Sequence, residues 1–476
     1  MLDVSSLHID LHLTEAKDVT YTRTPFGKEM RKLFTFDPAY RNLNHGESNL
    51  IQPRPIGSSV SPGSYGCYPR AIRDVANHFK DQKESRPDPF VRYAYNNYLD
   101  KSRAAVAALV NAPVNNCVFV PNATTACNTV LRNIPWNKDG NDEILSFSTI
   151  YSSCHKTIAY ISDSTGLVSN RVIQTEYPIS NADYVSRFRA AIAASRAEGK
   201  NPRIAFFDTI ASMPGVRIPF EALTAVCKEE GVLSLIDGAH SVGQIPLDFA
   251  TLDPDFFVSN CHKWLFTPRG CAVFIVAERH QHVIRSTLPT SEHYVPEGTP
   301  QIPSLTGNPH FVAMYEWVGT QDNEQYLCVP EAIKWREQVC GGEKAIYEYN
   351  NTLLRKATKI VASELGTEAL ENEEGTLMDC TMSFIRLPLN LEKDGGTVKP
   401  EDFRTILTFM GQTMAMEYQS YVATSVFQGG IWCRLSAQVY LDEDDFVFAA
   451  KMLKEVCERV NKGEYMTKVL SPVSRP

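Results

Sequence analysis

The sequence predicts an α/β protein, with a large domain of parallel strands joined by crossover helices and a smaller α+β domain after it. Two observations carry that expectation. From about residue 70 to 320, short β-rich apolar runs alternate with stretches whose apolar residues recur at helical spacing, the pattern of repeated βαβ units. Beyond about residue 325 the alternation gives way to helix, strand and helix again.

The strand candidates, in order, are Cys117-Val-Phe-Val120, Glu143-Ile-Leu-Ser-Phe147, Ile204-Ala-Phe-Phe207, Val232-Leu-Ser-Leu-Ile236, Phe256-Phe-Val258 and Cys271-Ala-Val-Phe-Ile-Val276. Nearly every residue in these runs is apolar, as expected of strands covered by helices on both faces. Between them, Ser102 to Val110 and Phe220 to Glu230 carry helical periodicity. Near the C-terminus, Asp444 to Val460 puts Phe446, Phe448, Ala449, Met452, Leu453 and Val456 on one helix face. The expected division is an N-terminal arm over 1–70 packing with the small domain, a large domain over 71–320 and a small domain over 321–476. Glu47 to Gly63 fits neither unit. It has three Pro, four Ser and no periodicity, which predicts an irregular loop, either an insertion or an unspliced intron.

Composition limits the function classes. The 476 residues carry 47 Lys+Arg against 55 Asp+Glu, a formal charge of -8 with no basic stripe to neutralise phosphates, so nucleic acid is not an expected partner. The first ten residues carry acids where a secretion signal needs a basic region and an apolar run, and no stretch of about 20 apolar residues predicts a membrane span. The 12 cysteines include no C-x-x-C pair, which gives zinc no support, and they read as reduced thiols of a cytoplasmic protein.

Three segments carry chemistry. In Ser259-Asn-Cys-His-Lys-Trp-Leu-Phe-Thr-Pro-Arg-Gly270, Lys263 follows a buried strand, where desolvation lowers an ammonium pKa and favours a Schiff-base amine; a lysine that only snorkels to the surface is the plain alternative. Asp237, in Asp237-Gly-Ala-His240, ends an apolar strand, where a carboxylate points into the ligand crevice of a parallel sheet. There it suits a pyridinium nitrogen, a metal or a helix cap. Val120-Pro-Asn-Ala-Thr-Thr-Ala-Cys-Asn128 runs from strand to helix and offers backbone N–H groups to a phosphate, without a P-loop pattern. Phosphate turn, strand Asp and strand Lys, in that order, match the fold-type I enzymes of pyridoxal phosphate.

The strings Leu43-Asn-His-Gly46, Arg86-Pro-Asp-Pro-Phe-Val-Arg92, Asn122-Ala-Thr124, Asp237-Gly-Ala-His240, Asn260-Cys-His-Lys-Trp-Leu-Phe-Thr-Pro-Arg-Gly270 and Arg434-Leu-Ser-Ala-Gln-Val-Tyr440 resemble the class V aminotransferase-like proteins, in their isopenicillin N epimerase-like branch and especially its fungal members. The resemblance spans some nine-tenths of the chain and implies a mostly parallel seven-stranded sheet binding pyridoxal 5'-phosphate. It implies that Lys263 forms the Schiff base and later moves the proton at Cα. Asp237 would pair with the pyridine nitrogen, His240 would lie near the phenolic oxygen, and Tyr151 would stack on the ring. Ala123 and Thr124, with Asn260 or His262, would hold the phosphate, and Thr320 would reach the phosphate of a neighbouring subunit in a homodimer. Arg434 would clamp the substrate carboxylate, with His45 in a turn near the amino-acid substrate. No metal is implied.

The reaction is left open by these motifs, since transamination, racemisation and elimination share one Cα carbanion. The resemblance extends to an aminotransferase-like enzyme of fungal loline-type alkaloid clusters, the expected role here, and to the fungal carbon-sulfur lyase of hercynylcysteine sulfoxide in ergothioneine synthesis. Amino-acid epimerase chemistry is a further alternative, and a non-catalytic scaffold has no use for a buried amine. That lyase has a cysteine in the strand where this chain reads Ser169-Asn-Arg-Val172, so the lyase reading requires Cys154 or Cys127 to substitute.

Overall fold

The computed structural model describes residues 19–45, 65–290, 294–299, 304 and 306–467; the segment from Glu47 to Gly63 lies outside them. Seven strands form the main sheet: β1 (Cys117–Val120), β2 (Asp142–Phe147), β3 (Val168–Ile173), β4 (Asn201–Asp208), β5 (Leu233–Asp237), β6 (Phe256–Ser259) and β7 (Ala272–Val276), in the order β1-β7-β6-β5-β4-β2-β3. Only β7 runs against its neighbours.

Alternation along the strands explains why these runs are apolar throughout. Phe119, Leu145, Phe207, Ile236 and Phe257 enter one core with the helices Tyr95–Leu109, Asn181–Ala197 and Phe220–Glu230. Val118, Ile144, Phe206, Leu235 and Phe256 enter another, on the opposite face, with Ala123–Asn133 and Ser152–Thr165. β3 escaped the sequence search because it is an uncovered edge: unlike β1 at the other edge, which is buried throughout, its Ser169 to Val172 are partly or fully exposed, so the run needs no apolar continuity.

The second sheet is antiparallel, β8 (Met382–Arg386), β10 (Gly430–Ser436) and β9 (Ala423–Phe427), with β10 in the middle. It shares a core with the helices Glu343–Leu365, Phe403–Glu417 and Glu443–Asn461, and Met30, Phe34 and Leu43 of the N-terminal stretch are buried in the same core. Asp442 starts the last helix with a capping box to Asp445, the local reason its amphipathic pattern begins where it does.

The two units meet behind the Lys263 turn. Arg336 is fully buried and donates to the carbonyls of Trp264 (2.8 Å) and Gly243 (2.9 Å) and to Glu343 Oε2 (2.6 Å). A charge this deep is retained only because every side of its fork has an acceptor.

Candidate active site

The carboxyl ends of β4, β5 and β6 and the start of the helix Ala123–Asn133 surround one cavity, lined by Asn122, Ala123, Thr124, Tyr151, Asp208, Ser212, Asp237, Ala239, His240, Asn260, His262 and Lys263. Of the residues singled out in the sequence, eight converge here: Lys263, Asp237, Tyr151, His240, Ala123, Thr124, Asn260 and His262. Three stand outside the wall, and their positions are described below.

Lys263 sits in the short helical turn Cys261–Trp264 after β6. Its Nζ lies 3.0 Å from His240 Nε2, while Trp264 Nε1 donates to His240 Nδ1 at 3.2 Å. An indole N–H can only donate, so Nδ1 accepts and the proton of the neutral ring sits on Nε2, directed at Nζ. That arrangement suits an uncharged amine, the state a carbonyl nucleophile needs. Burial first, then the Lys263 charge, holds His240 well below the ordinary histidine value. The same two causes bring His262 down to about 4; its Nδ1 is 2.8 Å from the Cys271 carbonyl.

Asp237 ends β5. Its Oδ1 accepts the Ala239 N–H at 2.9 Å and its Oδ2 accepts from Cys154 Sγ at 3.2 Å. Burial raises its pKa, opposed by those two hydrogen bonds and by Lys263. At the phosphate side, Asn122 caps its helix through the Thr125 N–H (2.9 Å), and Asn260 Oδ1 takes the Ala123 N–H (2.9 Å). Between these two capped donors, the Thr124 N–H has no side-chain acceptor among the described residues. The Thr124 hydroxyl lies 3.1 Å from Ser153 Oγ. An uncapped amide and a hydroxyl at the start of an eleven-residue helix could hold a phosphate.

His45 does not line the cavity. Its Nδ1 is 3.0 Å from the Tyr440 hydroxyl, which holds the ring, and its other ring nitrogen meets the Lys263 carbonyl at 2.5 Å and braces the lysine's backbone. Burial pushes its pKa down to about 3. Arg434, on β10, is fully buried and donates to the Ser212 carbonyl (2.8 Å) and to Asn44 Oδ1 (3.4 Å), which places it behind Ser212. Gly215 crosses its side chain so closely that a Cβ there would lie 2.8 Å from Arg434 Cδ, and its φ of 73° excludes most other residues. Thr320 lines a separate, mostly apolar cavity with Phe79, Phe90, Tyr95 and Trp317.

Sequence reasoning missed Asp208, Ser212 and the contact of Cys154 with Asp237. Asp208 had a readable signal: like Asp237 it is an acid that terminates an apolar strand, and the two are register partners across β4 and β5. Val172, whose missing thiol weighed against lyase chemistry, is 38% exposed on the edge strand and is not a cavity residue, so its identity carries no weight for the site.

A buried lysine, a strand-end aspartate and an uncapped helix start face one cavity, the arrangement expected of a pyridoxal-phosphate enzyme of fold type I. The chain belongs to the aminotransferase class-V family, whose profile matches residues 90–445. It is 36% identical over 470 residues to the L-cysteine desulfhydrase-like protein lolT1 of Epichloe uncinata (94% of this chain, 99% of the relative) and 30% identical over 432 residues to the hercynylcysteine sulfoxide lyase of Schizosaccharomyces pombe (91% and 98%). Among solved structures it is similar to the cystine C-S lyase C-DES in complex with cysteine persulfide (TM-score 0.63, 18% identity, 82% of this chain and 95% of that one). The Escherichia coli cysteine desulfurase CsdA is also similar (TM-score 0.64, 15% identity, 91% and 98%).

Proposed function

We propose that this enzyme cleaves the Cβ–S bond of L-cysteine or an S-substituted L-cysteine by α,β-elimination. The observation that supports this most is the near full-length likeness to a protein named for cysteine desulfhydration, joined by 30% identity to a named sulfoxide lyase. The bound pyridoxal phosphate supplies the electron sink for the pair left when Cα gives up its proton. In this reading Lys263 removes that proton, and Asp237 holds the positive charge of the ring nitrogen. For Arg434 to fix the substrate carboxylate it would have to exchange its present bond to the Ser212 carbonyl for one to the substrate. The sulfur departs with the Cβ–S electron pair and takes up a proton; water then releases the three-carbon remainder as pyruvate and ammonia. Incubation with L-cysteine and S-alkyl cysteines should yield pyruvate in equal amount to sulfide or thiol, and no pyruvate from any of them would sink the reading.

A second reading, an aminotransferase-like step in loline-type alkaloid metabolism, is favoured by the higher identity to lolT1 and lolT2, 36% for each against 30% for the lyase. It predicts a carbon-carbon bonded product from an amino-acid donor and an aldehyde, without pyruvate. In either case we propose a homodimer, because Thr320 lies outside its own chain's cofactor cavity and serves a phosphate only if that phosphate belongs to a second copy. Light scattering at working concentration tests this: a monomer that retains turnover would rule it out.

A further inference from the structure

Against Asp237, and outside the lining of the cavity itself, lies a thiol pair that the reaction above does not use. Cys154, one turn into the helix that begins after Tyr151, points its sulfur at Asp237 Oδ2 from 3.2 Å. Cys127, on the helix that starts at Ala123, stands behind it, and the two sulfurs and the carboxylate oxygen all lie within 4.8 Å of one another. All three residues are buried. A thiol has one proton and a carboxylate only accepts, so the Cys154 proton is committed to Asp237. The adjacent Cys127 sulfur, then burial and the Asp237 charge, keep Cys154 in the thiol form, and its bond to Asp237 in turn favours the ionised carboxylate against the burial that opposes it.

We propose that Cys154, backed by Cys127, is a positioning residue of the cofactor site: its thiol proton holds Asp237 as the anion that pairs with the pyridine nitrogen, and so sets how strongly the ring draws electrons. The inference rests on the cofactor assignment and not on which bond is cleaved afterwards. Without the thiol, negative charge concentrates on Asp237, which stabilises the protonated, visible-absorbing form of the bound cofactor. The more basic carboxylate also draws the ring proton toward itself and weakens the electron sink.

The test uses the holoprotein with Cys154→Ala, Cys154→Ser and Cys127→Ala. Two quantities are read: the pH midpoint of the visible cofactor band without substrate, and the rate of Cα deuterium exchange into L-alanine, which has no β leaving group. Cys154→Ala should raise the midpoint and slow exchange about tenfold, the scale of one hydrogen bond to a charged group, with unchanged half-saturation by alanine. Cys154→Ser should reverse both changes, and Cys127→Ala should shift both less and in the same direction as Cys154→Ala. A native midpoint and exchange rate in Cys154→Ala, or a serine variant as impaired as the alanine one, would overturn the proposal. If the alanine variant does not fold, the serine variant decides alone: its stronger donor should move the midpoint below the native value, and an unmoved midpoint is a refutation. Absence of the visible band from the native protein would instead defeat the cofactor assignment.

Discussion

The ends of β4 and β5 bring the same residue type to the same cavity, and the surroundings treat the two carboxyls differently. Asp237 receives a backbone N–H and a thiol on its two oxygens, which stabilise it as an anion. Asp208 receives no such donors from other residues among those described. Burial, and then the Asp237 charge beside it, lift it well above the usual carboxylate range. Two buried acids side by side do not both ionise, and the proton goes to the one with fewer donors. A strand-end aspartate is therefore not a cofactor carboxylate by position alone; the hydrogen bonds behind it decide.

The comparison can be broken in several ways. Lys263 is the amine both acids face, and Lys263→Ala should cost about a thousandfold or more in turnover and remove both the visible colour and the covalent adduct that borohydride reduction leaves, which absorbance and mass measurement check. Asp237→Asn removes a required charge; activity should fall about 100- to 1,000-fold while the protein still binds the cofactor. Burial and the Asp237 charge favour the protonated form of Asp208, which an amide resembles, so Asp208→Asn should keep turnover at pH 7 within about threefold. Equal losses in the two asparagine variants would show that Asp208 is also charged.

Stability against pH gives a smaller and sign-specific readout. His45, pushed down to about 3, stays neutral in the fold while the unfolded chain takes up a proton below about 6.5. Its contribution is complete above that pH and is lost as pH falls toward 3, by up to about 1.4 kcal/mol per pH unit. Asp208, raised, works the other way, with its contribution complete below its unfolded pKa and lost as pH rises through the folded one. Denaturant titrations across pH should therefore show a flatter acid limb in His45→Gln and a relative gain on the alkaline side in Asp208→Asn. The smallest expected effect is that of Val172→Cys. A thiol on the exposed edge of β3 should leave the yields of sulfide and pyruvate unchanged, and a marked rise in either would return weight to the strand cysteine.

Much of this was legible in the sequence. Six of the seven main-sheet strands announced themselves because burial on both faces demands apolar continuity, and Lys263, Asp237 and the Asn122-capped helix start showed as polar punctuation after such runs. β3 did not, since an uncovered edge strand is free to be polar. His45 was read as a substrate residue because its motif was recognisable, whereas its role as a brace depends on Tyr440 and the Lys263 carbonyl, hundreds of residues away in sequence. The Cys154 contact depends on two helices packing under one strand end, and no local pattern records that.

The brace on Lys263 has a consequence during synthesis. His45 leaves the ribosome early, but the Tyr440 hydroxyl that holds its ring is made near the end of the chain. At about 5–20 residues per second, the stretch from Lys263 to Tyr440 takes roughly 10 to 35 s to translate. Through that interval the lysine turn exists without its full brace. The finished amine is therefore presented to the cofactor only by an essentially complete polypeptide, and truncated chains ending before Tyr440 should bind the aldehyde without the geometry to use it.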